Sequence, residues 1–213
     1  MYSFLKPEIK RQSRIEPGSF TFYETPSFSG AVIRRIQERV FTPKLPDHLK
    51  WTVSANHSAF VVGEDVDNEP MILDNVVPRC RVRRQDSVKD RGLVAVVTPT
   101  YLSGMTYGER GIILEAMTAK AMSQVGAPYS WWEILGLLYW SVKTLSGRVV
   151  VRNPIRGGTI CTEQDLGLKL DFERFCGVVD GVNAGLDKDT TFPAQLLHAF
   201  IESPYYEVQR VIH

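Results

Sequence analysis

Cys161 follows the Gly157-Gly158 loop and opens Cys161-Thr162-Glu163, after which Asp165 to Leu170 continues with helical character. A thiol at a helix start is acidified, because unsatisfied backbone N–H groups and the helix dipole favour the thiolate. That position makes Cys161 the best nucleophile candidate in the chain. The same N–H groups, its own among them, would stabilise an oxyanion. A thiol nucleophile needs a base, and His57 opens the strand-like run His57-Ser58-Ala59-Phe60-Val61-Val62-Gly63. With period-two alternation its imidazole shares a face with Ala59 and Val61, small or branched neighbours that leave room for a partner. Asp74 or Asn75, in Met71-Ile72-Leu73-Asp74-Asn75-Val76-Val77, could accept the other imidazole N–H and fix its tautomer. Only one of the two can face the histidine, since adjacent strand residues point to opposite sides.

Each of these residues also has a plainer use. A lone cysteine is at home as a small buried apolar side chain, and Cys80 and Cys176 keep that reading. Cys80 lies among Arg79, Arg81, Arg83 and Arg84, which could activate it electrostatically, but no helix start or histidine accompanies it. His48, His198 and His213 have no comparable strand context, and no HExxH spacing suggests a metal. Three cysteines without CxxC spacing argue against a disulfide framework and a cysteine-rich zinc site, with a reduced compartment as the default. No cofactor is expected.

The elements that must position the three groups follow from apolar spacing. Phe20 to Tyr23 reads as a strand after the turn signal Glu16-Pro17-Gly18-Ser19. Ser27 to Val40 reads as a helix, with Val32, Ile33, Ile36 and Val40 at helical spacing and Pro43 and Pro46 beyond it. The His57 and Met71 runs flank the polar segment Glu64 to Pro70 and should pair antiparallel as a hairpin. Arg91 to Val97 supplies another strand, ended by Thr98-Pro99. A helix runs from Thr106 through Met122 to a stop at Gly126-Ala127-Pro128. Trp131 to Leu145 reads as a very apolar helix, Pro193 to Ile201 as another, and Tyr205 to Ile212 as a last strand. Helices and antiparallel strands are segregated, which makes the fold class α+β.

Composition narrows the function. The 213 residues show no repeat or low-complexity linker, so a single domain is the simplest organisation. With 25 basic and 24 acidic side chains, no overall field draws the protein to nucleic acid or anionic lipid. The apolar stretch Ile134 to Trp140 is far short of the roughly 20 residues that span a bilayer. Met1 to Arg14 carries five charged residues and no apolar h-region, so no secretion signal is expected.

The order of these elements resembles the circularly permuted branch of the NlpC-type papain-like cysteine peptidases and amidases, in which the histidine strand precedes the cysteine helix. The matching segments begin with Ile15-Glu16-Pro17-Gly18-Ser19-Phe20, similar to the family's "pGD" strand start with Ser19 for the usual Asp, and the His57-to-Val62 strand, similar to its "SHvaiv" pattern with Asn56 before the histidine. Ile72-Leu73-Asp74-Asn75 falls where the family often has an acidic residue, with Asp74 in place of a Glu. Gly126-Ala127-Pro128-Tyr129-Ser130 resembles the "G-x-pY" helix end, Cys161-Thr162-Glu163 the "CSE" of the nucleophile, and Phe192-Pro193-Ala194-Gln195-Leu196 the proline-led final helix. The resemblance covers about residues 15 to 200.

Carried over residue by residue, it implies Cys161 as nucleophile, His57 as general base and Asp74 as orienting group, in a papain-like antiparallel sheet packed against helices. It further implies a thiol hydrolase acting on an amide bond. Similar proteins cut peptide or amide links in peptidoglycan, or lipid-linked acyl groups. Without a secretion signal, the expected location is a virion, as in a phage tail, or the bacterial cytoplasm. The resemblance does not account for the insert at about 131–159, where Trp131 to Trp140 holds three of the four tryptophans. That segment reads as a core helix or, if exposed, as a contact for phage tail proteins. Two other functions fit the same residues: a structural tail component with an idle triad, and an acyltransferase or thioesterase using the same Cys and His.

Overall fold

Phe20 and Phe22 point to one side of strand β1 (Phe20–Glu24), Thr21 and Tyr23 to the other, and all four are buried. A strand covered on both faces belongs at the middle of a sheet. β1 indeed pairs antiparallel with β2 (His57–Glu64) on one side and β5 (Gly92–Pro99) on the other. The computed structural model describes residues 15–88, 91–130, 161–178, 186 and 191–211. Adding β3 (Pro70–Val76), β4 (Arg79–Arg84) and β6 (Tyr206–Arg210) gives a six-stranded antiparallel sheet in the order β4-β3-β2-β1-β5-β6. The class is α+β. The Trp-rich segment expected as a helix lies outside the described residues, as do the Gly157-Gly158 loop and Met1 to Arg14.

The expected hairpin joins β2 and β3 in a register that sets Phe60 opposite Leu73 and Val61 opposite Ile72. Its turn is fixed by the Asp65 carboxylate, which accepts the backbone N–H groups of Asp67 and Glu69, with Asn68 in the left-handed region that Asn tolerates. Strand β4 was not expected. Its only apolar side chains are Cys80 and Val82, which alternate toward the core while Arg79, Arg81 and Arg83 line the other face. The chain following α2 (Tyr107–Met122) covers the free edge of β4: Cys80 N–H donates to Ala127 O and Gly126 N–H to Cys80 O, each at 2.9 Å.

Helices α1 (Phe28–Val40), α2 and α4 (Pro193–Glu202) start where side chains meet backbone N–H groups, and α3 spans Cys161–Phe175. Ser27 Oγ accepts from Gly30 N–H, and Thr106 and Glu109 form a reciprocal capping box. α2, α3 and α4 cover one face of the sheet with Met117, Leu166, Phe172, Leu197 and Phe200 against Phe20, Phe22, Phe60 and Val97. The opposite face buries Tyr23, Ala59, Val61, Ile72 and Leu93. Phe60 on β2 and Phe172 on α3 meet edge to face with centroids 6.2 Å apart. Truncating either to Ala costs about 3–5 kcal/mol in a packed core. This contact ties the strand that starts at His57 to the helix that starts at Cys161.

Like Gly126 and Gly177, Gly18, with φ at +87°, occupies the left-handed region that favours glycine. A Cβ there would also lie 2.7 Å from Leu114 Cδ2. The turn it makes sends its N–H to Val61 O at 2.9 Å, while Val61 N–H returns to Ser19 O at 2.8 Å. Ser19 is thereby held against β2 by its backbone, and its hydroxyl lies 3.3 Å from that of Thr98.

Candidate active site

His57 sits where β2 begins, with Tyr23 of β1 as its register partner and the two rings 6.3 Å apart. The residue before it is a clamp. Asn56 Oδ1 accepts from Thr25 N–H at 2.7 Å and from Thr25 Oγ1 at 2.6 Å, and Asn56 Nδ2 donates to Thr25 O at 3.1 Å. These bonds fasten the start of β2 to the end of β1, and so fix where the imidazole emerges.

His57 Nε2 lies 2.5 Å from Asp74 Oδ1. Asp74 shares the sheet face of Ile72, which packs with Ala59 and Val61, and so the alternation that excludes one of Asp74 and Asn75 excludes Asn75. Cys161 lies near enough to the imidazole for its side chain to act on the ring's charge. Of the three residues picked out from the sequence, His57 and Asp74 are hydrogen-bonded, and Cys161, more than a hundred positions along the chain from His57, lies within electrostatic reach of the imidazole.

Burial by itself would lower the His57 pKa, yet it is raised to about 9, because the neighbouring Cys161 and Asp74 charges and hydrogen bonds favour the imidazolium. Asp74 is fully buried and its carboxyl is nevertheless held far below the usual range. Burial would raise it; His57, Arg91 and Arg83 outweigh that. Arg91 Nη1 reaches both carboxylate oxygens at 3.2 Å, and Arg83 Nη2 donates to Oδ2. A carboxylate so tied cannot rotate, which orients the ring that it holds.

Sequence reasoning missed four participants. Arg83 appeared only as a neighbour of Cys80; the alternation of β4 turns it to the opposite face, onto Asp74. Cys80 consequently gains nothing from the arginines, and burial pushes its thiol up to about 11. Arg91 precedes β5 and carries no local signal for its role. Tyr129, from the motif after α2, is half-buried near Cys161 and Asp74, and desolvation followed by those two charges drives its hydroxyl pKa up. Asp165, one turn along α3 from Cys161, is 1% exposed, and burial raises its carboxyl to about 7 against the opposing influence of Ser58 and His57. Cys176 is half-buried and, like Cys80, is free with a raised thiol pKa.

A cavity of about 410 Å³ opens beside the imidazole, with Ser27, Asn56, His57, Arg81, Arg91 and Tyr129 on its walls. Cys161 is 3% exposed and is not among the lining residues. Among the described residues no cluster of three or more His, Cys, Asp or Glu is arranged to hold a metal ion, and no helix is long and apolar enough to cross a membrane. Compared with known proteins, the chain matches no family model and no curated protein.

Proposed function

We propose that this protein is a papain-like thiol hydrolase of the permuted NlpC type that cleaves an amide bond, with peptidoglycan peptide as the substrate class and a phage tail as its carrier. The observation that carries the reading is the imidazole of His57 hydrogen-bonded to Asp74 and within electrostatic reach of Cys161 at the start of α3. His57 takes the thiol proton, and Asp74 stabilises the imidazolium that results. The thiolate attacks the amide carbon, and the oxyanion faces backbone N–H groups at the start of α3, that of Cys161 among them. Collapse breaks the C–N bond, with His57 returning its proton to the leaving amine. Water, deprotonated by His57, then releases the acyl group from sulfur. Every proton moves between groups of the chain, the substrate and water, so the reaction needs no cofactor.

One observation favours a second reading. The near-complete burial of Cys161 suits a virion component that retains the arrangement with the triad idle. The thioesterase or acyltransferase alternative draws less support, since the cavity wall carries two arginines, where an acyl chain needs an apolar groove.

Incubation of the purified protein with peptidoglycan peptides, with release of new amino groups followed by mass spectrometry, tests the proposal. Turnover that disappears in Cys161→Ala is the expected result. Cleavage of acyl thioesters alone would remove the amidase reading, and the absence of turnover on both would favour the idle triad.

A further inference from the structure

Two guanidinium groups hold the Asp74 carboxylate, and a third stands on the neighbouring strand. Arg83 and Arg91 both donate to Asp74, and Arg81 stands opposite Asp74 in the β3–β4 register, close enough to Arg83 to disfavour its charge. Asp74 is already shared between His57, Arg83 and Arg91. Arg81 makes no ion pair with any described residue, and its side chain is exposed on the cavity wall. Three arginines against Asp74 leave a surplus of two positive charges; counting buried Asp165 as ionised still leaves one.

The cavity wall repeats this imbalance. Arg81, Arg91 and His57 line it, and no Asp or Glu does so among the described residues. Ser27, Ser29 and the first turn of α1 also line it, and that turn carries no acidic side chain to offset its N-terminal partial charge. A cavity lined by one sign of charge raises the local concentration of the opposite sign. A guanidinium with no ion-pair partner among the described residues is suited to a planar oxyanion held through two parallel N–H donors.

We infer that this cavity is an oxyanion-recognising subsite in which Arg81 binds a carboxylate or phosphate group carried by the substrate. That the anion belongs to a substrate rests on the hydrolase reading; the anion site itself does not. On that reading the amide that is cut lies next to an acidic group, and neutral amides of the same length are poorer substrates.

The test is an NMR titration of the His57 ring and the Arg81 side chain with glutarate, inorganic phosphate and neutral glutaramide. Saturable shifts with either anion and none with glutaramide are expected, with binding about tenfold weaker in Arg81→Gln and partly regained in Arg81→Lys. Glutarate binding without phosphate binding identifies a carboxylate as the recognised group, and the reverse identifies a phosphate. Glutaramide matching the anions, or Arg81→Gln binding them as well as the native protein, would overturn the inference. Because the readout needs no turnover, anion binding by a protein that cleaves nothing would retain the subsite and remove the hydrolase.

Discussion

His57 and Asp74 lie on neighbouring strands with Nε2 of one 2.5 Å from Oδ1 of the other, and the carboxylate is fully buried. A buried carboxylate with no cation would be strongly disfavoured. Here two arginines and the imidazole satisfy it, and its own charge in turn supports an imidazolium next to Cys161.

The raised pKa of His57 sets a pH dependence. A histidine moved from its ordinary 6.5 to about 9 on folding adds stability that is complete below 6.5 and is lost as pH climbs through about 9. Turnover through a thiolate–imidazolium pair should fall over the same upper range. NMR titration of His57 should give a midpoint near 9 in the native protein and a lower one in Cys161→Ala, where the contributions of the thiolate are gone. An unchanged midpoint in that variant would contradict the coupling.

Replacing Asp74 separates orientation from support. Asp74→Ala leaves the half-buried Arg83 and Arg91 without their acceptor, and a loss of about 3 kcal/mol in denaturant unfolding is expected. Asn75→Ala leaves the imidazole pair intact; any effect should fall on KM, because Asn75 lines the cavity, and His57 should titrate as in the native protein. Loss of turnover with Asn75→Ala alone, both variants being folded, would place the orienting group on the wrong face.

Much of this arrangement was legible in the sequence, and the misses have physical causes. β1, β2, β3 and β5 are rich in β-branched and aromatic residues, and α1, α2 and α4 carry helical apolar spacing or a clear cap. β4 carries the same period-two signal in Cys80 and Val82, but four arginines in six residues hide it. Their reason lies on another strand, in the buried charge of Asp74. Arg91 and Asp165 act through contacts distant in sequence, so no local pattern marks them, and the fifteen-residue span of α3 exceeds the Asp165-to-Leu170 stretch that reads as helical.

Asp165 gives a stability test of opposite sign to that of His57. Unfolded, its carboxyl ionises near its ordinary value of 3.8; folded, it keeps its proton to about 7. The destabilisation this imposes grows between those two values and persists above them. Asp165→Asn should therefore raise Tm relative to the native protein at pH 8 and bring much less gain at pH 4. Equal gains at the two pH values would show that the carboxyl is not held neutral by the fold.

Asn56 should matter through position alone. Asn56→Ala removes three hydrogen bonds to Thr25, and a loss of about 1–3 kcal/mol in denaturant unfolding is expected. Turnover should decline as well, with the His57 midpoint little altered, because the charges around the ring are untouched. A loss below about 0.5 kcal/mol, the range of an ordinary surface change, would show that Thr25 and Asn56 are not the clamp.

The most direct measurement is the rate at which each cysteine reacts with iodoacetamide across pH, read by peptide mass spectrometry. Cys161 should react at neutral pH well ahead of Cys80 and Cys176, whose thiols burial pushes upward, and His57→Ala should abolish that lead. Alkylation of Cys161 no faster than that of the other two, in a protein shown to be folded, would contradict an imidazole-activated thiolate.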